Sequence, residues 1–155
     1  MKWSKGIQSL IVSTTMSLMF IPGYALAQKA FIFDPTQHKW YAMENGEVIK
    51  SGPASGGANY CPDSGHRCHT PVGTFSVISK GGPDCKSTIY PLKTHGGAPM
   101  PYCMHFTKFY AVHGSNEVSP TSNISHGCIR IYPEAARWLS ENFMEVGTTV
   151  VVKPY

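Results

Sequence analysis

A chain of 155 residues with 14% charged residues, 15 glycines and 12 prolines is sized for one domain, and it suits short strands and turns better than long polar helices. Its net charge of +4 falls to +2 (11 basic minus 9 acidic) once the two lysines of residues 1–27 are set aside. So weak a balance, with no basic stripe or stacking array, gives no argument for nucleic acid, and no nucleic-acid partner is expected.

Residues 1–27 read as a signal peptide. Lys2 and Lys5 give a positive start, Ile7 to Phe20 is an apolar run, Pro22-Gly23 breaks any helix, and Ala25-Leu26-Ala27 is a small-x-small cleavage pattern. The run is shorter than the ~18 to 20 apolar residues a span needs, so no membrane anchor is expected after cleavage. No cysteine closely follows it, which argues against a lipid anchor. The mature domain is residues 28–155. Export makes thiols tend to pair. The chain has five cysteines, Cys61, Cys68, Cys85, Cys103 and Cys128, so at least one stays free.

Ala30 to Phe33 and Trp40 to Met43 are short apolar strands. Asn45-Gly46 is a hairpin turn, and Glu47 to Lys50 returns as a third strand, giving a β-meander. Ser51 to Thr70 is a long irregular stretch holding Cys61 and Cys68, of the kind that is functional or stapled. A Cys61–Cys68 disulfide would add about 2.5 kcal/mol by loop closure. The rival is a metal site of Cys61, His66, Cys68 and His69; an oxidising compartment favours the disulfide. Thr70 to Ile78 is a turn and an alternating strand with Phe75 and Val77 on one face. Cys85 pairs by proximity with Cys103, although four cysteines allow three connectivities.

Tyr102 to Phe106 and Phe109 to His113 form two further strands. In the second, Phe109, Ala111 and His113 point one way and Tyr110 and Val112 the other. Ser115 to Ile124 is a polar loop. Pro133-Glu134 opens a short helix whose packing face is Ala135, Leu139 and Phe143, with Trp138 beside them. Gly147 ends it, and Thr148 to Val152 is a last buried strand.

The chemistry gathers at Val112-His113-Gly114-Ser115 and Ser125-His126-Gly127-Cys128-Ile129-Arg130. Cys128 is a candidate nucleophile, with His113 or His126 as the imidazole that takes its proton and stabilises the ion pair. Gly127 lets the backbone turn, so the N–H groups of Gly127 and Cys128 could meet an oxyanion. Arg130 suits a substrate carboxylate. The plainer alternatives are a buried structural cysteine and a zinc site of Cys128, His113 and His126.

His113-Gly114-Ser115 followed by Ser125-His126-Gly127-Cys128-Ile129-Arg130 resembles the signature of the L,D-transpeptidase (YkuD-type) catalytic domain family. Thr70-Pro71-Val72-Gly73-Thr74-Phe75 resembles the family's turn and strand. Gly147-Thr148-Thr149-Val150-Val151 resembles its closing strand, and Asp34 through Gly57 its opening hairpin. The resemblance covers essentially the whole mature chain. It implies a mainly β, sandwich-like fold with one short C-terminal helix. It implies that Cys128 attacks a peptidoglycan tetrapeptide stem at the L-centre of the third residue and expels D-alanine. His113 would be the base, oriented by a backbone carbonyl such as that of Gly114. His126, Ser125 and Gly127 would shape the site, and Arg130 and Tyr102 would help place the donor stem. The acyl group would pass to an amine of a stem or a protein. No metal or cofactor is implied, and the site of action would be the periplasm or envelope of a bacterium. The oligomeric state is open.

Two departures stand out. The loop between His113 and Ser125 is slightly short for the family, and the four other cysteines lie outside its motif. An L,D-carboxypeptidase that gives the thioester to water, and a non-enzymatic disulfide-stapled surface protein, remain as alternatives.

Overall fold

The computed structural model describes residues 28–155, so the expected signal segment lies outside the described residues. The chain opens with three antiparallel strands, β1 (Lys29–Asp34), β2 (Lys39–Glu44) and β3 (Glu47–Pro53). Asn45 and Gly46 join β2 to β3 with φ of 51° and 85°, the left-handed pair that a tight hairpin requires. This is the meander that the sequence predicts. Phe31, Phe33, Trp40 and Ala42 point inward and are buried, and the Phe31 and Trp40 rings stack at 6.1 Å. β3 is an edge strand with exposed, charged positions at Glu47 and Lys50. Such an edge resists pairing with another chain.

Two later segments complete this sheet. β4 (Gly73–Ser76) pairs antiparallel with β9 (Thr149–Val152), and β9 lies parallel to β1 with Ala30 opposite Thr149. The order is β3-β2-β1-β9-β4. A last strand buried among others explains why Val150 and Val152 read as core. Phe75 packs against that core and Val77 is fully buried, as the alternation predicts.

The second sheet is built from much shorter strands. β5 (Ser79–Lys80), β6 (Met104–His105), β7 (Ala111–Gly114) and β8 (Ile129–Ile131) lie in sequence order. β6 and β7 are shorter than predicted, and Phe109 lies outside the strand and is exposed. β7 and β8 are parallel. An isolated bridge from Ser55 to Arg130 ties the chain leaving β3 to the edge of β8.

The helix α1 (Pro133–Trp138) starts at Pro133 as expected and continues into a π-helical turn over Leu139–Phe143. Leu139 and Phe143 are buried, but Ala136 takes the inner place assigned to Ala135, which is half-buried. Ala136 and Leu139, three apart, share one face, and the wider π-helical turn from Leu139 to Phe143 departs from the uniform spacing on which the face of Ala135, Leu139 and Phe143 rests. Both expected disulfides, Cys61–Cys68 and Cys85–Cys103, are formed, and Cys128 is the free thiol.

Candidate active site

The register of β7 and β8 sets the site. Val112 lies opposite Ile129 and His113 opposite Arg130. Paired residues of a parallel ladder point to the same side, and so do residues two apart on a strand. His113, Arg130 and Cys128 therefore share one face. That face forms a wall of a cleft of about 830 Å³, which is also lined by His126, Tyr90 and Tyr110. Val112 and Ile129, on the opposite face, are fully buried in the main core. The alternation that places a functional residue in the cleft thus places its neighbour in the core.

Cys128 sits one residue before β8, half-buried against a small cluster of Met100, Cys103 and Ala111. Its sulfur lies 3.9 Å from the Phe109 carbonyl oxygen. Burial pushes its thiol above the ordinary cysteine value, opposed by a backbone hydrogen bond at Ala111 and by the Arg130 charge. His113 is buried, and its Nδ1 lies 2.9 Å from the Gly114 carbonyl oxygen. A carbonyl only accepts, so Nδ1 carries the proton and Nε2 is left with its lone pair. Burial lowers His113 to about 4; the Gly114 bond opposes this, and the charges of Arg130 and His105 add to it. Burial thus works against the charged form of each partner. This differs from the ion pair that the sequence invites, because desolvation penalises each charged form.

The turn before β8 is held by its own side chain. Ser125 Oγ donates to the Cys128 carbonyl and accepts the Gly127 N–H at 3.0 Å. The Gly127 amide is therefore committed to Ser125. Of the two N–H groups considered for an oxyanion, that of Cys128 has no acceptor among the described residues. Gly127 has φ of 126°, and a Cβ there would come within 2.3 Å of the Tyr110 ring, so no other residue fits.

His126 is engaged from the opposite lip. Its Nε2 lies 2.9 Å from both carboxylate oxygens of Asp63, and its ring meets that of Tyr90 at 4.3 Å. The His126 side chain, as the main hydrogen-bond partner, holds the Asp63 carboxyl below its usual range. Arg130 Nη1 donates to Glu117 at 2.9 Å, which leaves the other guanidinium nitrogens for a ligand. Tyr102 is the departure. Its ring packs against the main core and does not line the cleft, so it is not where a donor-placing residue should be. The strand predicted from Tyr102 begins only at Met104, and Tyr102, in the turn before it, has a φ of 56° that departs from the expected alternation.

The metal site of Cys61, His66, Cys68 and His69 loses its two thiolate donors. Cys61 and Cys68 are bonded to each other, and His69 stacks on Tyr155 at 3.7 Å. Among the described residues, Cys61, Asp63 and His126 bring ligand atoms within 4.8 Å of one another, but the Cys61 sulfur is spent in the disulfide. Two donors remain, fewer than the three protein ligands of a catalytic zinc site.

Asp63, Tyr90, Tyr110 and Glu117 also line the cleft, and sequence reasoning did not single them out for it. Asp63 carried a weak signal as a lone acid inside the loop closed by Cys61 and Cys68. Tyr90 and Glu117 carried none.

Fold and site together define a two-sheet β protein with a thiol and an imidazole in one cleft. The YkuD family model, described as the L,D-transpeptidase catalytic domain, matches residues 28–152. The chain belongs to this family. Among solved structures it is similar to an L,D-transpeptidase from Xylanimonas cellulosilytica, with 28% identity and a TM-score of 0.69 over 83% of this chain and 62% of that one. It is also similar to an L,D-transpeptidase from Mycobacterium smegmatis, with 28% identity and a TM-score of 0.66 over 83% of this chain and 59% of that one. L,D-transpeptidase 3 from Mycobacterium tuberculosis, in complex with a faropenem-derived adduct, shares the fold at 22% identity and a TM-score of 0.66, over 83% of this chain and 61% of that one. The chain thus spans about three-fifths of the length of these solved proteins. Comparison with curated proteins gives no match.

Proposed function

We propose that the domain is an exported cysteine L,D-transpeptidase of the bacterial envelope acting on peptidoglycan tetrapeptide stems. The Cys128 sulfur attacks the carbonyl of the L-centre of the third stem residue. The thiol proton moves to His113 Nε2 as the carbon–sulfur bond forms. Collapse of the tetrahedral intermediate breaks the amide bond, and the same proton leaves with the D-alanine amine. An amine of another stem, or of an attached protein, then attacks the thioester and releases the thiol.

The observation that carries this reading is the convergence of one free thiol and one buried imidazole in a single cleft, with the imidazole held in the tautomer a base needs. A resting pair whose charged forms burial opposes suits a general base that acts during attack, since charge then develops on both partners together. The Cys128 N–H is the candidate donor to the oxyanion, and Arg130 is a candidate grip for a stem carboxylate. Ser125 keeps the turn closed and His126 shapes the opposite lip. Without Cys128 the first bond cannot form. Cys128→Ala is expected to reduce turnover on the order of 10⁴-fold or more.

The test is mass spectrometry of tetrapeptide muropeptides before and after incubation with the mature protein. Cross-linked dimers with loss of D-alanine are expected from the wild type and not from Cys128→Ala. Tripeptide alone would replace transfer by hydrolysis, making the protein an L,D-carboxypeptidase with the same nucleophile. Equal products from Cys128→Ala would remove the thiol mechanism altogether.

A further inference from the structure

Behind the catalytic turn, outside the cleft, lies a buried hydrogen-bond relay that joins Thr70, at the head of the Thr70–Phe75 turn, to the Gly127 carbonyl and Tyr155. The Thr70 hydroxyl donates to the Gly127 carbonyl at 2.7 Å. The same hydroxyl accepts the Gly57 N–H at 3.1 Å and the Tyr155 hydroxyl at 3.1 Å. The Tyr155 hydroxyl in turn accepts the Thr70 N–H at 3.0 Å, and its ring stacks on His69. Thr70 is 1% exposed and does not line the cleft. A buried hydroxyl with one donor and two acceptor roles filled has no orientational freedom left.

Gly127 C=O and Cys128 N–H belong to one peptide unit. A trans peptide is planar, with its C=O and N–H pointing in opposite directions. Fixing the carbonyl on Thr70 therefore fixes the Cys128 N–H on the side away from Thr70. That N–H has no acceptor among the described residues, whereas the preceding amide, of Gly127, is held by Ser125. Thr70 and Ser125 thus pin the two peptide units flanking Gly127. Without them this glycine at φ of 126° could rotate, having no side chain of its own to resist.

We infer that Thr70, backed by Tyr155, is a positioning residue that aims the Cys128 N–H at the oxyanion formed during acylation. The inference rests on the transpeptidase reading above. Thr70 touches no reacting atom and acts only through the peptide plane. Its removal should slow steps that develop an oxyanion and spare chemistry at the same sulfur that develops none.

The experiment compares the mature wild type with Thr70→Val, Thr70→Ser and Tyr155→Phe in two assays. One is D-alanine release from tetrapeptide muropeptide, resolved into kcat and KM. The other is alkylation of Cys128 by iodoacetamide, which forms no oxyanion. Thr70→Val is expected to lower kcat by about 10- to 100-fold, somewhat less than outright loss of an oxyanion donor, with little change in KM. Its alkylation rate should stay within about twofold, because the thiol and His113 are untouched. Thr70→Ser should restore most of kcat. Tyr155→Phe should lower kcat by about three- to tenfold through the same relay, and it carries the test if Thr70→Val does not fold. Wild-type kcat in Thr70→Val, or in Tyr155→Phe where Thr70→Val is unfolded, overturns the inference. So does a parallel loss of kcat and alkylation. A wild type that alkylates but releases no D-alanine overturns the transpeptidase reading and this inference with it.

Discussion

In the five-stranded sheet, β1 and β2 pair over six residues, and the side chains they turn inward are Phe31, Phe33, Trp40 and Ala42. In the four-stranded sheet no strand exceeds four residues, and the positions that face the cleft are His105, His113 and Arg130. Apolar burial and a long ladder hold the first sheet. The second has few ladder bonds and carries polar groups that burial opposes. Its inner side, with Met104, Val112, Ile129 and Ile131, shares the main core, and its cleft side is fixed by covalent and side-chain ties: the Cys85–Cys103 bridge behind Cys128, the Ser125 bonds across the turn, and the Gly114 carbonyl on His113. The lesson is one of division. Regular pairing supplies stability where nothing reacts, and specific ties supply geometry where something does.

Perturbing each region in turn tests that division. The largest expected effect is in the second sheet. His113→Gln keeps a polar side chain of similar reach but removes the proposed base, and turnover should fall by about 10²- to 10⁴-fold while the melting temperature changes little. Steady-state kinetics alongside thermal unfolding would show it. A large drop in melting temperature with proportionate loss of activity would mean that His113 is structural.

Phe33→Ala should do the reverse. It empties a fully buried ring position and should cost about 3–5 kcal/mol of stability, read by urea unfolding, with kcat unchanged below the transition. A change in kcat there would blur the two regions.

Replacing Cys85 and Cys103 together by serine lies between these cases. The bridge spans 18 residues and should contribute about 3 kcal/mol by loop closure. Because Cys128 packs against the same cluster, kcat should fall as well, unlike in Phe33→Ala.

Acid should act on both properties through one residue. His113 sits at about 4 in the fold, below the ordinary histidine value of 6.5. Between those values the unfolded chain binds more protons, so stability is full above 6.5 and is lost as pH falls towards 4. The loss is about 3 kcal/mol at 1.36 kcal/mol per unit. The acidic limb of activity should fall near 4 rather than near 6.5, since the base stays neutral until then. His113→Gln should abolish that slope of stability with pH.

The smallest effect is expected at the lip. Asp63→Asn removes an exposed partner of His126 and should alter KM by about threefold or less, with no shift in melting temperature.

Much of this was legible in the residue pattern. Phe31 and Phe33 alternate with period two, Asn45-Gly46 marks its hairpin, and Pro133 marks the helix start. These are local signals, and local geometry answers to them. Cys128 stood out because five cysteines leave one over when the others pair, and because the flanking residues resemble a family signature. Less legible were Tyr102, placed among the substrate contacts but packed on the core, and Ala136, which took the inner place assigned to its neighbour. In both, the error was one of direction. A short strand and a π-helical turn shift which side of the backbone faces inward.

By itself the sequence determined the meander and the helix start, because each depends on neighbours within a few positions, and through an odd cysteine count and a family signature it marked the candidate free thiol and the residue types of the site. Only the tertiary structure decided that β9 returns beside β1, that β7 lies parallel to β8, and that Thr70 and Tyr155 brace the turn at Gly127. Those contacts join positions 57 to 119 residues apart or cross between parallel strands. Their free energy comes from burial and from hydrogen bonds that exist only after the chain has closed on itself, so no local pattern encodes them.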